Sequence, residues 1–208
     1  MSDRAREAYH ADSAIIGMWL FIATETLFFG ALFFAYLVCR HLYPQAMALG
    51  AGRTELTIGT INAALLLTSS LAMAWATKCA ARGAVRGLIG GQIVAALLGA
   101  GFLLLKGIEY AHDFRRGLFP GPGFVAAPGD PAPQQLFFVW YFIATAIHAL
   151  HMAIGLGLIA MVVRRAMQGR YSAANWTPVA VVALYWSFVD MVWICLYPLL
   201  YLVGRNGA

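Results

Sequence analysis

From Ala14 to Cys39 the chain runs for 26 residues with hardly a polar break, and near the middle of that run stands one carboxylate, Glu25. At about 1.5 Å per residue, such a run crosses the roughly 30 Å hydrocarbon layer of a membrane as a single helix. Glu25 then falls about 16 Å in, close to the midplane. An unpaired carboxylate at that depth costs roughly 2.5 to 3.5 kcal/mol on insertion scales, so it is expected to be paired, protonated or wetted, and to be functional. Its own helix offers only Thr24 and Thr26 as polar neighbours, beside Phe21, Phe28 and Phe29. Burial is therefore expected to hold Glu25 as a neutral acid.

The remainder of the chain repeats the pattern. With 62% hydrophobic and 11% charged residues and a mean hydropathy of +0.74, residues 1–208 read as one all-α, membrane-embedded domain and not as a soluble core. Five spans can be drawn, roughly 14–39, 56–77, 88–110, 135–163 and 178–203, each bounded by charge or by Pro and Gly. Thr177 and Pro178 read as the cap and first residue of the last one. An odd number of spans puts the termini on opposite sides. One side carries Arg4, Arg6, Lys78, Arg82, Arg86, Arg164, Arg165 and Arg170, and the other Arg40, Arg53, Arg115, Arg116 and Arg205. Eight bases against five predict a cytoplasmic N-terminus and an external C-terminus.

The net charge of +5 is spent on these flanks, singly or in pairs, so no nucleic-acid site is read from it. Cys39, Cys79 and Cys195 form no CxxC pair, so neither a zinc site nor a disulfide framework is signalled. No small-residue cleavage site follows the charged first twelve residues, and the first span is expected to be retained. The segment 111–134, with Pro120, Pro122, Pro128, Pro131 and Pro133, should be irregular, lie outside the bilayer and offer a surface to a partner.

Small residues at four-residue spacing, Gly91, Ala95 and Gly99, and Gly59 with Ala63, mark places where helices approach closely. Asn62, Ser69 and Ser70 add hydrogen-bonding groups to the second span. Trp186, Asp190, Trp193 and Tyr197 share one helical face, so Asp190 has aromatic N–H and O–H groups as local partners. It serves either as a satisfied structural carboxylate or as a proton relay. His148 and His151, three apart on one face, cannot clamp a haem iron from opposite sides; packing, hydrogen bonding, lipid contact or proton relay remain. Lys106 and Glu109 form either an ion pair in a partly dry setting or a snorkelling lysine beside an interfacial carboxylate.

Five ordered stretches then resemble one family. MWLFIATETLFFGALFFAY (Met18–Tyr36) is similar to the glutamate-bearing helix of subunit III of haem-copper oxidases, and TINAALLLTSS (Thr60–Ser70) to its next helix. IEYAHDF from Ile108, HALH from His148 and YWSFVDMVWICLYPLLYL from Tyr185 resemble its xEY, HxxH and YWHFVDxVW signatures. The five-span count looks like the short bacterial form, which lacks the first two helices of the seven-helix type.

The resemblance implies an accessory subunit of a respiratory oxidase, of the cytochrome c type more than the quinol type, in the bacterial inner membrane. Such a subunit catalyses nothing itself and binds no haem or copper, which belong to its partner subunits. It packs on the catalytic subunit, holds phospholipids and sustains proton uptake. Glu25 matches the family's carbodiimide-reactive carboxylate, Glu109 the xEY glutamate and Asp190 the aspartate of YWHFVD. Arg165 matches a basic position that meets phospholipid headgroups. Ser187 stands where the family usually has His, and Ala180 where a glutamate is common. An accessory subunit of a nitric oxide reductase is the nearest rival. A proton-coupled transporter is disfavoured because the spans show no internal repeat.

Overall fold

The computed structural model describes the backbone of residues 3–202 and, apart from residues 3–8, 10 and 11, their side chains. The side chains of Arg4 and Arg6, and Arg205, therefore lie outside the described residues. Six α-helices follow in order: α1 (Asp3–Leu42), α2 (Pro44–Gly52), α3 (Leu56–Ala81), α4 (Val85–Arg115), α5 (Pro131–Met167) and α6 (Thr177–Tyr197), the last continuing as a π-helical turn, Pro198–Leu202. No strand occurs among the described residues.

Five of these helices are long and apolar enough to cross a membrane: Asp12–Leu42, Leu56–Ala81, Val85–Arg115, Pro131–Met167 and Thr177–Leu202. They coincide with the five expected spans and mostly run several residues further, because helices continue past the hydrocarbon where backbone hydrogen bonding still favours them. Exposed Leu27, Leu71 and Leu104, each at least 70% accessible, would be a liability in water and are ordinary facing lipid.

Helices α3, α4, α5 and α6 form a bundle in which α3 packs against α4 and α6, and α5 against the same two. Helix α1 stands outside it, against α6. The expected close approach is present where α3 meets α4: a Cβ on Gly91 would lie 2.8 Å from Ala76 Cβ and 2.9 Å from the Ala72 carbonyl oxygen. Gly99 and Gly59 make room for rings instead of backbone. A Cβ there would strike Trp186 at 2.6 Å and Tyr201 at 2.8 Å, respectively.

Three local features differ from the sequence expectation. Helix α2 was not foreseen, since its nine residues are too few to span. Pro44 starts it, and Gly50 lets it lie on the Phe137 ring, which a Cβ would meet at 2.5 Å. The proline-rich connection is shorter than 111–134, because α4 continues to Arg115 and Asp130 caps α5 by accepting from the Ala132 N–H. Its irregular course is confirmed: Gly117 turns it at φ +66°, and its carbonyl accepts from the Val125 N–H. Thr177 is helical and not the cap of α6; Trp176 occupies that position without a side-chain cap.

One end of the bundle gathers the 43–55 segment and the loop after α4. There Arg53 donates to the Val125 carbonyl at 2.6 Å and Arg116 pairs with Glu55 at 2.5 Å. Partial burial, then the nearby Arg116 charge, lowers the Arg53 pKa from its ordinary value. At the opposite end Gly83 lies against Ala173, in the region that carries Lys78, Arg82, Arg86, Arg164, Arg165 and Arg170.

Candidate functional site

Polar groups inside the spans cluster at three places. The largest cluster is built on α4, where Lys106, Glu109 and Asp113 occupy successive turns of one face and are 3%, 0% and 1% exposed. Lys106 Nζ donates to Glu109 Oε2 at 2.9 Å, to Tyr141 Oη of α5 at 3.2 Å and to Tyr201 Oη of the π turn at 2.9 Å. Tyr201 donates in turn to Glu109 Oε1 at 2.7 Å, and Tyr141 to Asp113 Oδ2 at 3.0 Å. The alternative of a snorkelling lysine is thereby excluded. Sequence reading missed Asp113, Tyr141 and Tyr201. A signal was present for the first, which follows Lys106 at i+7 and Glu109 at i+4 on the same face.

Asp190 forms the second site, and its partner is not the one expected. Ser70 of α3 donates to Asp190 Oδ2 at 2.5 Å. Of the aromatic groups on its own face, Trp186 and Tyr197 are turned to other tasks, and the Trp193 indole N–H has no partner among the described residues. The Trp186 indole N–H donates to Ser69 Oγ at 2.9 Å, and the Tyr197 hydroxyl lies 2.6 Å from Thr60 Oγ1. Ser69 donates to the Ala95 carbonyl at 3.1 Å. A helix places residues i and i+4 one above the other, so side chains on one face of α6 reach outward to α3 more readily than along their own axis.

The third site joins α1 to α5. Glu25 Oε2 lies 3.4 Å from His151 Nε2, with both side chains about one-fifth exposed or less. Neither Thr24 nor Thr26 serves the carboxyl, for each hydroxyl turns back to a carbonyl of its own helix. The polar partner comes from a different helix, which the isolated span could not show. His151 Nδ1 is 2.9 Å from the Ile147 carbonyl, which can only accept, so the ring hydrogen sits on Nδ1. Nε2 then faces Oε2, and a proton on either atom would join the two helices at this point. Phe29 packs edge-on to the imidazole, Phe21 stacks on Tyr185, and the Tyr185 hydroxyl donates to the His151 carbonyl.

His148 does not join this site, although it is only three residues away. Three residues rotate a helix by about 300°, which leaves the two rings roughly 60° apart. That suffices to send His148 inward, where it is fully buried against Phe102 and Trp193. Neither of its ring nitrogens has a hydrogen-bond partner among the described residues.

Arg165 is exposed in the last turn of α5. Ser187 is exposed in an apolar groove of about 340 Å³ between α1 and α6, lined also by Trp19, Phe29, Met191 and Cys195. Among the described residues no three His, Cys, Asp or Glu side chains are grouped to hold a metal ion. Chemically, the three sites can hold and share protons and tie helices together.

Glu25→Gln should leave assembly intact, since the amide can still donate to His151 Nε2. Carbodiimide should label Glu25 and spare Glu55, which is paired with Arg116, and Asp130, which caps α5. Peptide mapping after treatment reads the result; even labelling of all three, or loss of the Glu25→Gln chain from membranes, would mean that Glu25 is a fixed ionic anchor.

A family model described as cytochrome c oxidase subunit III matches residues 7–205. Over 204 residues the chain is 34% identical to cytochrome c oxidase subunit 3 of Thermostichus vulcanus, covering 98% of this chain and 92% of that one. Cytochrome c oxidase subunit 3 of a Synechocystis species is 32% identical over 195 residues, 93% of this chain and 77% of that one. The cytochrome bo(3) ubiquinol oxidase subunit 3 of Pseudomonas aeruginosa is 28% identical over 192 residues, 92% and 86% of the two chains.

Proposed function

Since the chain belongs to the cytochrome c oxidase subunit III family, we propose that it is the accessory, cofactor-free subunit of a respiratory haem-copper oxidase in a bacterial inner membrane. It stabilises the catalytic subunit, retains phospholipids and supports proton uptake during aerobic electron transport. The observation that carries this reading is the extent of the match, which takes in all five membrane-crossing helices and every polar site among them. Cytochrome c is the electron donor of the complex; the relatives at 34% and 32% identity are both named cytochrome c oxidase subunit 3. Its N-terminus faces the cytoplasm, as the basic residues around residues 82–86 and 164–170 support.

The groups available suit such a part. Glu25 and His151 hold a proton between them at a helix boundary near lipid, and Arg165 offers a planar guanidinium for a phosphate headgroup. Haem and copper reside in the partner subunits, where this chain's role is to pack and to supply protons.

The test is purification of the intact complex in mild detergent, followed by separation of this chain. The complex should show haem-copper absorbance and oxidise reduced cytochrome c, while the separated chain carries no stoichiometric iron or copper. Native mass spectrometry should find phospholipid retained on it, and less on Arg165→Ala. Metal in the separated chain would end the reading; equal lipid retention would remove Arg165 from the lipid site alone.

A further inference from the structure

The buried cluster on α4 fills its hydrogen bonds at every polar atom but one carboxyl oxygen, and it leaves its charges unbalanced. An ammonium has three N–H groups, and Lys106 places all three, on Glu109, Tyr141 and Tyr201. Both oxygens of Glu109 are served, one by Lys106 and one by Tyr201. Asp113 Oδ2 accepts from Tyr141, whereas its Oδ1 is buried with no partner among the described residues. One cation thus faces two carboxyl groups.

The groups packed around do not make up the difference. Tyr110 comes from α4, Tyr141, Thr145 and His148 from α5, and Trp193 and Tyr201 from α6 and its π turn; Gly59 of α3 lies under the Tyr201 ring. The next cation, Arg116, is half exposed and committed to Glu55 at the bundle end. Ionising both Glu109 and Asp113 would leave a net negative charge out of water, which proteins avoid by protonating one of the pair.

We propose that Asp113 is a proton-binding site of this subunit, carrying a proton on Oδ1 so that Lys106 and Glu109 alone are ionised and the cluster is neutral. The choice between the carboxyls follows from geometry: Glu109 has no free oxygen, and Asp113 has one. Asp113 lies two residues before the end of α4, and its backbone carbonyl accepts from the Leu118 N–H of the loop that follows, so the aqueous side at that end is its nearest source of protons. Losing it sets a second carboxylate against Glu109 for one ammonium, and the contest runs through Tyr141, which ties α4 to α5. The site therefore couples proton availability at that face to the packing of the bundle end. Neither the Glu25–His151 pair nor the proposed oxidase role is needed for it.

Infrared difference spectroscopy of the intact complex, wild type against Asp113→Asn, reads the protonation state directly. The expected difference is loss of one protonated-acid carbonyl band. Loss of carboxylate bands instead would overturn the proposal. Because an amide replaces a neutral acid of the same shape and still accepts from Tyr141, the variant should assemble and melt within about 3 °C of wild type. If Asp113→Asn fails to assemble while Tyr141→Phe succeeds, a charge is required at Asp113 and the proposal fails.

Discussion

Replacing Lys106 with methionine should destabilise this chain by about 3 to 5 kcal/mol, the usual cost of removing one partner of a buried ion pair. The loss arises less from a missing attraction than from what is left behind. Glu109 is fully buried, and without Lys106 its Oε2 has neither a cation nor a donor. Tyr141 and Tyr201 lose the proton each accepts. The double change Lys106→Met with Glu109→Gln should recover much of the stability, because the uncompensated charge is gone. Thermal unfolding of the detergent-solubilised complex, followed by retention of the chain on its partners, measures both. A double variant no more stable than the single one would show that the pair's own attraction dominates.

The second large effect is steric. Gly91→Leu should wedge α3 from α4, since the Cβ alone would sit 2.9 Å from the Ala72 carbonyl oxygen and 2.8 Å from Ala76 Cβ. Neither neighbour can rotate away: one atom is backbone and the other is fixed to it. Overpacking of this kind costs typically about 1 to 3 kcal/mol, and more where backbone must move. Gly90 provides the control. It is exposed, and a Cβ there meets nothing within 4 Å, so Gly90→Leu should melt like wild type. Leucine is a better helix former than glycine, so propensity favours both variants, and comparable losses for the two would mean that the α3–α4 contact does not set the effect.

Much of this protein is determined by its sequence alone. Apolar runs of 20 or more residues oblige the chain to satisfy its backbone within helices, because lipid supplies no hydrogen bonds. The five spans therefore follow from length and hydropathy, and the small residues at Gly91, Gly99 and Gly59 mark where the helices must touch. Five ordered motifs bring the family into view in the same linear way. Even Lys106 beside Glu109 is visible as a pair.

Tertiary structure alone decided which polar group meets which. Glu25 finds His151, 126 positions along the chain, and Asp190 finds Ser70 instead of the indoles on its own face. His148 and His151 separate because 60° of rotation points them at different helices. Lys106 is revealed as a buried ammonium with three acceptors only when Tyr141 and Tyr201 arrive from α5 and the π turn. The physical reason is common to all four. Hydropathy is a property of each segment and fixes where it crosses the membrane, whereas a buried polar atom must be satisfied by whatever neighbour packing brings within about 3 Å. That neighbour lies on another helix, at a separation the one-dimensional pattern does not encode.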